Sequence, residues 1–460
     1  MRNQYRTYTF GALCCLSVFL TFVPVLSAAV YKVTNNSGDV AVTGSLPWAL
    51  NAAYYNPGDH QIVFEIPGSG PHTIYAQPIA AGFAWFVGNQ GGGRVTLDAT
   101  TQPGYRAGRP AVWIDFNGVP AGINVVGRGQ TVKGLALYNF RTVGLALLEG
   151  AGAGGHTVTD CWVGFVEVPG GYFKNTNYGS GYQQSIGIGV ACPDNYLAGN
   201  TISGVYNGIT MGTDPVMAPN PWNYYIAYNN QITLNRIGTT PDGNAAIGNL
   251  SDAVFLGDSA SYNYIYNNII GANLSAGIEI LGSSGWVNFA WGNLCGVGAG
   301  GQNLGNGQLG ILVANASQYN YIGFYVPNYF YYNGLGGASL GLNDPAAGTS
   351  GAAHNNQIAY NYFYANNTAY WSQGVGVAVT GGSYYNLVMA NNIYGHLQHG
   401  VILSRAYGTW VVYNYLGYYD WNWGFGVYSQ YSSGNVIGSN GLFYNWLGGY
   451  GSLSSADYVY

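Results

Sequence analysis

One short phrase recurs from residue 122 to residue 427: a small residue, an aliphatic one, any residue, and a second aliphatic. It stands at Gly122-Ile123, Gly144-Leu145, Gly187-Ile188, Gly208-Ile209, Ala253-Val254, Gly277-Ile278, Gly310-Ile311, Gly376-Val377, Gly400-Val401 and Gly426-Val427. The steps between the aliphatic members are 22, 43, 21, 45, 24, 33, 66, 24 and 26. Most lie near one, two or three times 22, and the step of 33 requires an insertion. A second phrase, Asn-x-Ile/Leu-x-Gly or close to it, falls between these, as at Asn200 to Gly204, Asn235 to Gly238, Asn293 to Gly296 and Asn392 to Gly395.

A period of this length, built from short alternating pieces, predicts an all-β solenoid: a single-stranded right-handed parallel β-helix with about three short strands per coil. Alternation sends every second side chain inward, and stacking buries an aliphatic column that no single coil could bury. Glycine supplies the turns that need positive φ, and asparagine tolerates them. Asparagines on successive coils can also bond to one another as ladders. The 304 residues from Ile123 to Val427 correspond to roughly 13–14 coils, a rod on the order of 65 Å at about 4.8 Å per coil. The leucine-heavy consensus of leucine-rich repeats is absent, and a propeller would want longer periods.

The segment Gly44-Ser45-Leu46-Pro47-Trp48-Ala49-Leu50-Asn51-Ala52-Ala53 and the following Pro57 to Phe64 resemble the capping region of secreted right-handed β-helix repeat proteins of the CSLREA and pectate-lyase-like kind. The resemblance continues through Ile66 to Ile74, Leu97 to Tyr105 and the turn phrase Ile237 to Gly243, although the CSLREA hexapeptide is missing and Pro47 replaces the usual basic residue. It implies a β-helix and export; activity does not follow from fold. A cap helix is expected around 47–54, with Ser45 as N-cap and Pro47 near its first position. No comparable cap is evident after Asn445. The expected divisions are a signal peptide over 1–29, cap and first coils over 30–110, the β-helix over 111–446 and a tail over 447–460.

Arg2 and Arg6 precede an apolar run from Phe10 to Leu26 that exits through Ser27-Ala28-Ala29, the pattern of a secretory leader cut near Ala29. No second run is long and apolar enough to span a bilayer, so the mature chain is expected to be secreted or surface-attached. Beyond the leader lie three cysteines, Cys161, Cys192 and Cys295. They are too few for a disulfide framework; one bridge or three buried thiols are both open. Charged residues make up 6% of the chain, with 12 bases and 17 acids in all. That excludes a nucleic-acid surface, which needs clustered Lys and Arg.

Few residues suggest catalysis. Asp252 and Asp258 flank one strand as turn residues, and Asp214, Asp242 and Asp344 lie beside Pro or Gly. Glu279 points out of its strand without an evident partner. His396 and His399, with Arg405 and Asp420 near in sequence, form the one candidate acid–base group, although two turn histidines are the plainer reading. No Cys/His spacing suggests a metal, no cofactor is expected, and calcium has no evident ligand set. If the chain is an enzyme, a polysaccharide lyase or glycoside hydrolase is the expected kind, and its groups should converge in one groove.

The unusual feature is aromatic. Residues 301–460 contain 24 of the 43 tyrosines but only four charged residues, Asp344, Arg405, Asp420 and Asp457. Tyr319/Tyr321, Tyr329/Tyr331, Tyr360/Tyr362/Tyr364 and Tyr413/Tyr415 step by two and so share a strand face. Aliphatics already claim inward positions, so many of these rings should face out. Trp410, Tyr413, Tyr415, Tyr418, Trp421 and Trp423 are the expected assembly or glycan-stacking set. Composition favours a self-assembling extracellular structural protein (a fibre, sheath or matrix) held by aromatic contacts as a homo-oligomer or homopolymer. The alternative is binding of extracellular polysaccharide, with a carbohydrate-active enzyme as a further option.

Overall fold

The computed structural model describes residues 28–77, 85–148, 150, 152–212, 226–282, 286–342, 351–366 and 374–460. Among these, strands form three long parallel sheets of 15, 13 and 13 members. The chain visits them in a fixed order, here sheet A, sheet B and sheet C, and each strand pairs with its counterpart one coil later. This is a right-handed parallel β-helix. Sheet A begins with Ala29–Val33, sheet B with His72–Tyr75 and sheet C with Trp85–Val87.

Alternation places one interior side chain per short strand. Ile232, Ile265, Ala290 and Ile322 stack inside sheet A, and Ile237, Ile270, Cys295 and Phe330 inside sheet B. All are buried. The recurring phrase forms the interior column of sheet C, from Ile123 through Leu145, Ile188, Ile209, Val254, Ile278, Ile311, Ala338, Val377 and Val401 to Val427. Its small first member is a matter of space: a Cβ on Gly376 would come within 2.2 Å of Ile393 Cγ2.

The coil count differs from the sequence expectation. Ile123 to Val427 spans ten coil steps rather than 13–14, about 30 residues each. The steps of 43 and 45 are single coils carrying long corner insertions, including 164–185 and 238–253. Insertion at a corner leaves the strands in register, so it lengthens the sequence step without adding a coil. The first coils lie before residue 111 as expected, but the strands also run past 446, into the stretch expected to be a tail. Residues 448–459 form strands Gly448–Leu453 and Ala456–Val459, with Tyr450 in register with the interior Val427.

Three columns of buried asparagine hold the corners. At the A-to-B corner, Asn235 Oδ1 accepts from the backbone N–H and side-chain amide of Asn200, both at 3.0 Å, while its own amide donates to Leu197 O and Asn268 Oδ1. The pattern repeats through Asn293, Asn328, Asn361, Asn391 and Asn414. Asn195, Asn230, Asn263, Asn288 and Asn320 belong to the C-to-A column, and Asn249, Asn273, Asn306, Asn333 and Asn366 to the B-to-C column. Each bent corner leaves backbone N–H groups that the sheets cannot pair, and the amide satisfies them while remaining satisfied itself.

Helix α1, Leu46–Tyr55, closes the first coils as expected. Ser45 Oγ accepts from Trp48 N at 3.1 Å, Pro47 lies in the first turn, and Leu46, Ala49, Leu50 and Ala53 are buried. Cys161, Cys192 and Cys295 are buried thiols, none of them in a disulfide. The proposed leader lies outside the described residues except for Ala28 and Ala29, and so do Asp214 and Asp344. No helix of the described residues is long and apolar enough to cross a membrane.

Candidate functional site

The four ionisable candidates occupy different environments. His396 is fully buried within the B-to-C asparagine column, between Asn366 and Asn422, and its backbone N–H donates to Asn422 Oδ1 at 3.2 Å. Burial lowers its pKa to about 4, so the ring is neutral at pH 7. Arg405 is exposed at the C-to-A corner, at φ 54°. Asp420 is exposed in a B-to-C loop and accepts from Trp421 N at 2.8 Å. Only His399 faces a groove. The convergence expected of a catalytic group is not what this geometry provides.

The acids follow suit. Asp252 is buried at a corner, accepting from Ala276 N and Ser251 Oγ. Glu279 lies on the outer face of sheet C, in register between Phe255 and Leu312. Among the described residues no group of three or more His, Cys, Asp or Glu side chains could hold a metal ion.

The tyrosines that step by two do face outward, around the inward Phe330 and Phe363 in sheet B and around the buried Asn320, Asn361 and Asn414 at the corners. Tyr329 and Tyr362 stack outside sheet B at 5.2 Å while Phe330 and Phe363 stack inside it at 5.1 Å. All six rings of the expected aromatic set are exposed, by 45–60%, but they wrap around the rod rather than forming one strip. Trp410 stands on sheet A and Tyr413 at the A-to-B corner. Tyr415, on sheet B, and Tyr418, in the next corner, meet Phe443, while Trp421 and Trp423 of the same corner meet Tyr444 and Trp446, two adjacent exposed groups.

Sequence reasoning missed the groove on the outer face of sheet C. It has a volume of about 530 Å³ and crosses five successive strands, Leu309–Ala314, Gly336–Leu340, Val375–Val379, Val401–Ser404 and Phe425–Gln430. At about 4.8 Å per coil, it extends roughly 19 Å along the rod. Leu312, Ser339, Ala378, Ile402 and Tyr428 form its floor in register. The small Ser339 and Ala378 lower the middle of that floor, while residues at the strand ends form the rims: Gln308 and Gln398 on one side, Thr380, Ser404 and Gln430 on the other. At one end the rings of His399, Phe425 and Tyr428 lie parallel, His399 to Tyr428 at 4.6 Å and Phe425 to Tyr428 at 5.7 Å.

Among the described residues no Asp, Glu, Lys or Arg lines this groove. Its one histidine, His399, accepts from Phe425 N at 3.0 Å through Nδ1, which leaves the neutral ring's proton on Nε2. Burial holds its pKa near 4, so this ring too is uncharged at neutral pH. Its hydroxyls, amides and parallel rings are the groups that a neutral polyhydroxylated ligand requires. The signal in sequence was the run of uncharged residues at the position after each interior residue of sheet C from Ile311 to Val427, legible only once the coil register is known. A second cleft, of about 830 Å³, lies at the first coils beside Arg106, Arg109, Trp113 and Glu167. There Arg109 is paired with Glu167 at 2.7 Å.

No protein-family model matches the chain, and no curated protein matches it. Solved structures similar to it include a tailspike protein of Dettilon (15% identity, 93% of this chain and 68% of that one, TM-score 0.44). Others are a mannuronic acid specific polysaccharide family 6 lyase from human gut microbiota (9% identity, 94% and 83%, TM-score 0.42) and the Azotobacter vinelandii mannuronan C-5 epimerase AlgE6 A-module (14% identity, 93% and 99%, TM-score 0.40). At these identities and TM-scores the likeness conveys nothing beyond a coil architecture, and the CSLREA-type kinship of the cap has no support beyond the cap residues themselves.

Proposed function

We propose that this chain is an exported polysaccharide-binding protein, and that an uncharged glycan lies along the sheet C groove. The observation that carries the reading is the lining: five strands wide, with hydroxyl and amide rims, parallel rings and no side chain charged at neutral pH among the described residues. A sugar chain presents hydroxyls to such rims and C–H faces to such rings, and the groove is long enough for several sugars. Export rests on the apolar leader and its small-residue exit. Affinity electrophoresis through gels containing neutral polysaccharides tests the reading, with uronate polymers as the charged comparison. Retardation in a neutral gel, abolished by Tyr428→Ala with an unchanged circular dichroism spectrum, is the expected result; migration unaffected by every neutral polymer opposes it.

Self-association is the second reading, and the adjacent exposed groups that hold Tyr418 and Trp421, Trp423 and Trp446 favour it. Contiguous exposed aromatics commonly mark protein contacts. Light scattering across protein concentrations separates the two: a monomer that still binds glycan leaves the groove reading alone.

A further inference from the structure

Sheet A carries a second pattern, at its edges. The residue that enters the C-to-A corner has positive φ on successive coils: Asn229, Tyr262, Val287, Tyr319, Asn355, Tyr385 and Gly408 in turn, the last before Thr409 and the others each before a buried asparagine. Asparagine and glycine suit this conformation, whereas a bulky side chain there is uncommon and costs roughly 1–2 kcal/mol. The corner itself therefore has no need of tyrosine. Yet tyrosine occupies every second coil, at 262, 319 and 385, with φ between 55° and 58°. The rings are 50%, 44% and 66% exposed, while Val287 and Asn355 between them are half-buried. On the opposite edge of sheet A, Tyr360 and Tyr413 repeat the arrangement, with Ala390 on the coil between.

These rings differ from the sheet ladders in what their faces do. Tyr264, Phe289 and Tyr321 stack on one another along the rod at 5.1 and 5.3 Å, so their faces are occupied. Tyr262 and Tyr319 make no ring contact among the described residues. Tyr385 meets Tyr384 edge-on and lies over the next coil, where a Cβ on Gly408 would fall within 2.7 Å of its ring. A ring laid against the corner turns its other face to solvent. The sheet A face between the two edges, from Tyr264 to Val412, has no charged side chain on its outward positions.

We propose that this edge is a platform for the flat face of an extended, uncharged β-1,4-linked glycan of the cellulose or chitin kind. Two coil rises place successive tyrosines about 9.6 Å apart, close to the length of one disaccharide. In such a two-fold chain every second sugar presents the same face, so one tyrosine meets one equivalent ring, and the missing charge suits a neutral bundle surface. The platform lies on a different face from the sheet C groove and does not depend on it.

The test is depletion of the full chain from solution by insoluble cellulose and chitin. The wild type should bind at least one. The triple variant Tyr262→Asn, Tyr319→Asn and Tyr385→Asn should lose at least tenfold in affinity while keeping its melting temperature or raising it, because asparagine already serves this position at Asn229 and Asn355. Tyr319→Asn alone, which breaks the row at its centre, should show most of that loss. Tyr428→Ala, in the groove, should bind these solids as the wild type does. Failure of the wild type to bind either solid, or undiminished binding by the tyrosine variants, overturns the proposal; loss of binding in Tyr428→Ala alone would transfer the activity to the groove.

Discussion

His396 takes an asparagine's place one coil before Asn422: its backbone N–H donates to Asn422 Oδ1 at 3.2 Å, as the neighbouring asparagines do to theirs. The imidazole cannot reproduce the amide. The carbonyls of Phe363 and Asn366 lie near, but neither buried ring nitrogen has a hydrogen bond. His396→Asn should therefore complete the column and raise stability by about 1–2 kcal/mol.

The same substitution should change the response to acid. His396 is held near pKa 4 by burial, below the unfolded value of 6.5. The unfolded chain therefore takes up a proton between those values that the folded chain does not, and stability falls as pH drops from about 6.5 to about 4. The shift corresponds to about 3 kcal/mol for this site. Denaturant unfolding at both ends of that window should show a shallower loss in His396→Asn, with the residual slope left to His156 and His399, which burial lowers similarly.

Within the A-to-B column, Asn268 accepts from Asn235 N and Nδ2 and donates to Ile232 O and Asn293 Oδ1. Asn268→Ala strands several buried polar groups at once, and a loss of about 3 kcal/mol or more is expected. Asn229→Ala, on an exposed corner of the preceding coil, should cost far less. Equal melting temperatures for the two variants would show that the column is not what secures the corners.

Much of this architecture was legible because it rests on repetition. The Gly-Ile phrases named the interior column of sheet C, Cys295 fell where an aliphatic was due, and Ser45 with Pro47 marked the cap. The coil count was not legible: a step of 43 from Leu145 to Ile188 looks like two coils, whereas it is one coil with a corner insertion. The groove was hidden for the same reason, since Leu312, Ser339, Ala378, Ile402 and Tyr428 share no spacing and meet only through strand register. His396 and His399 are three residues apart in sequence, but the turn into sheet C sends one ring inside and the other out.

The cap offers a simpler test. Ser45 Oγ accepts from Trp48 N and donates to Asp39 O at 2.6 Å. Ser45→Ala should cost about 1 kcal/mol, read as a small fall in melting temperature.

Cys161, Cys192 and Cys295 should resist iodoacetamide in the folded protein. All three are buried, and burial raises the Cys161 thiol to about 12, which leaves almost no thiolate to react. Mass spectrometry after alkylation should find none modified under native conditions and three in denaturant.

Calorimetric titration of the groove with an oligosaccharide of the neutral polymer that retards the protein is the most direct test of the proposed function. Because no charged side chain among the described residues lines the site, the dissociation constant should stay within about twofold between about 50 mM and about 500 mM salt. Tyr428→Ala should weaken binding at least tenfold. A steep loss of affinity with salt, or tighter binding to a uronate oligomer than to the neutral one, would contradict an uncharged glycan groove on sheet C.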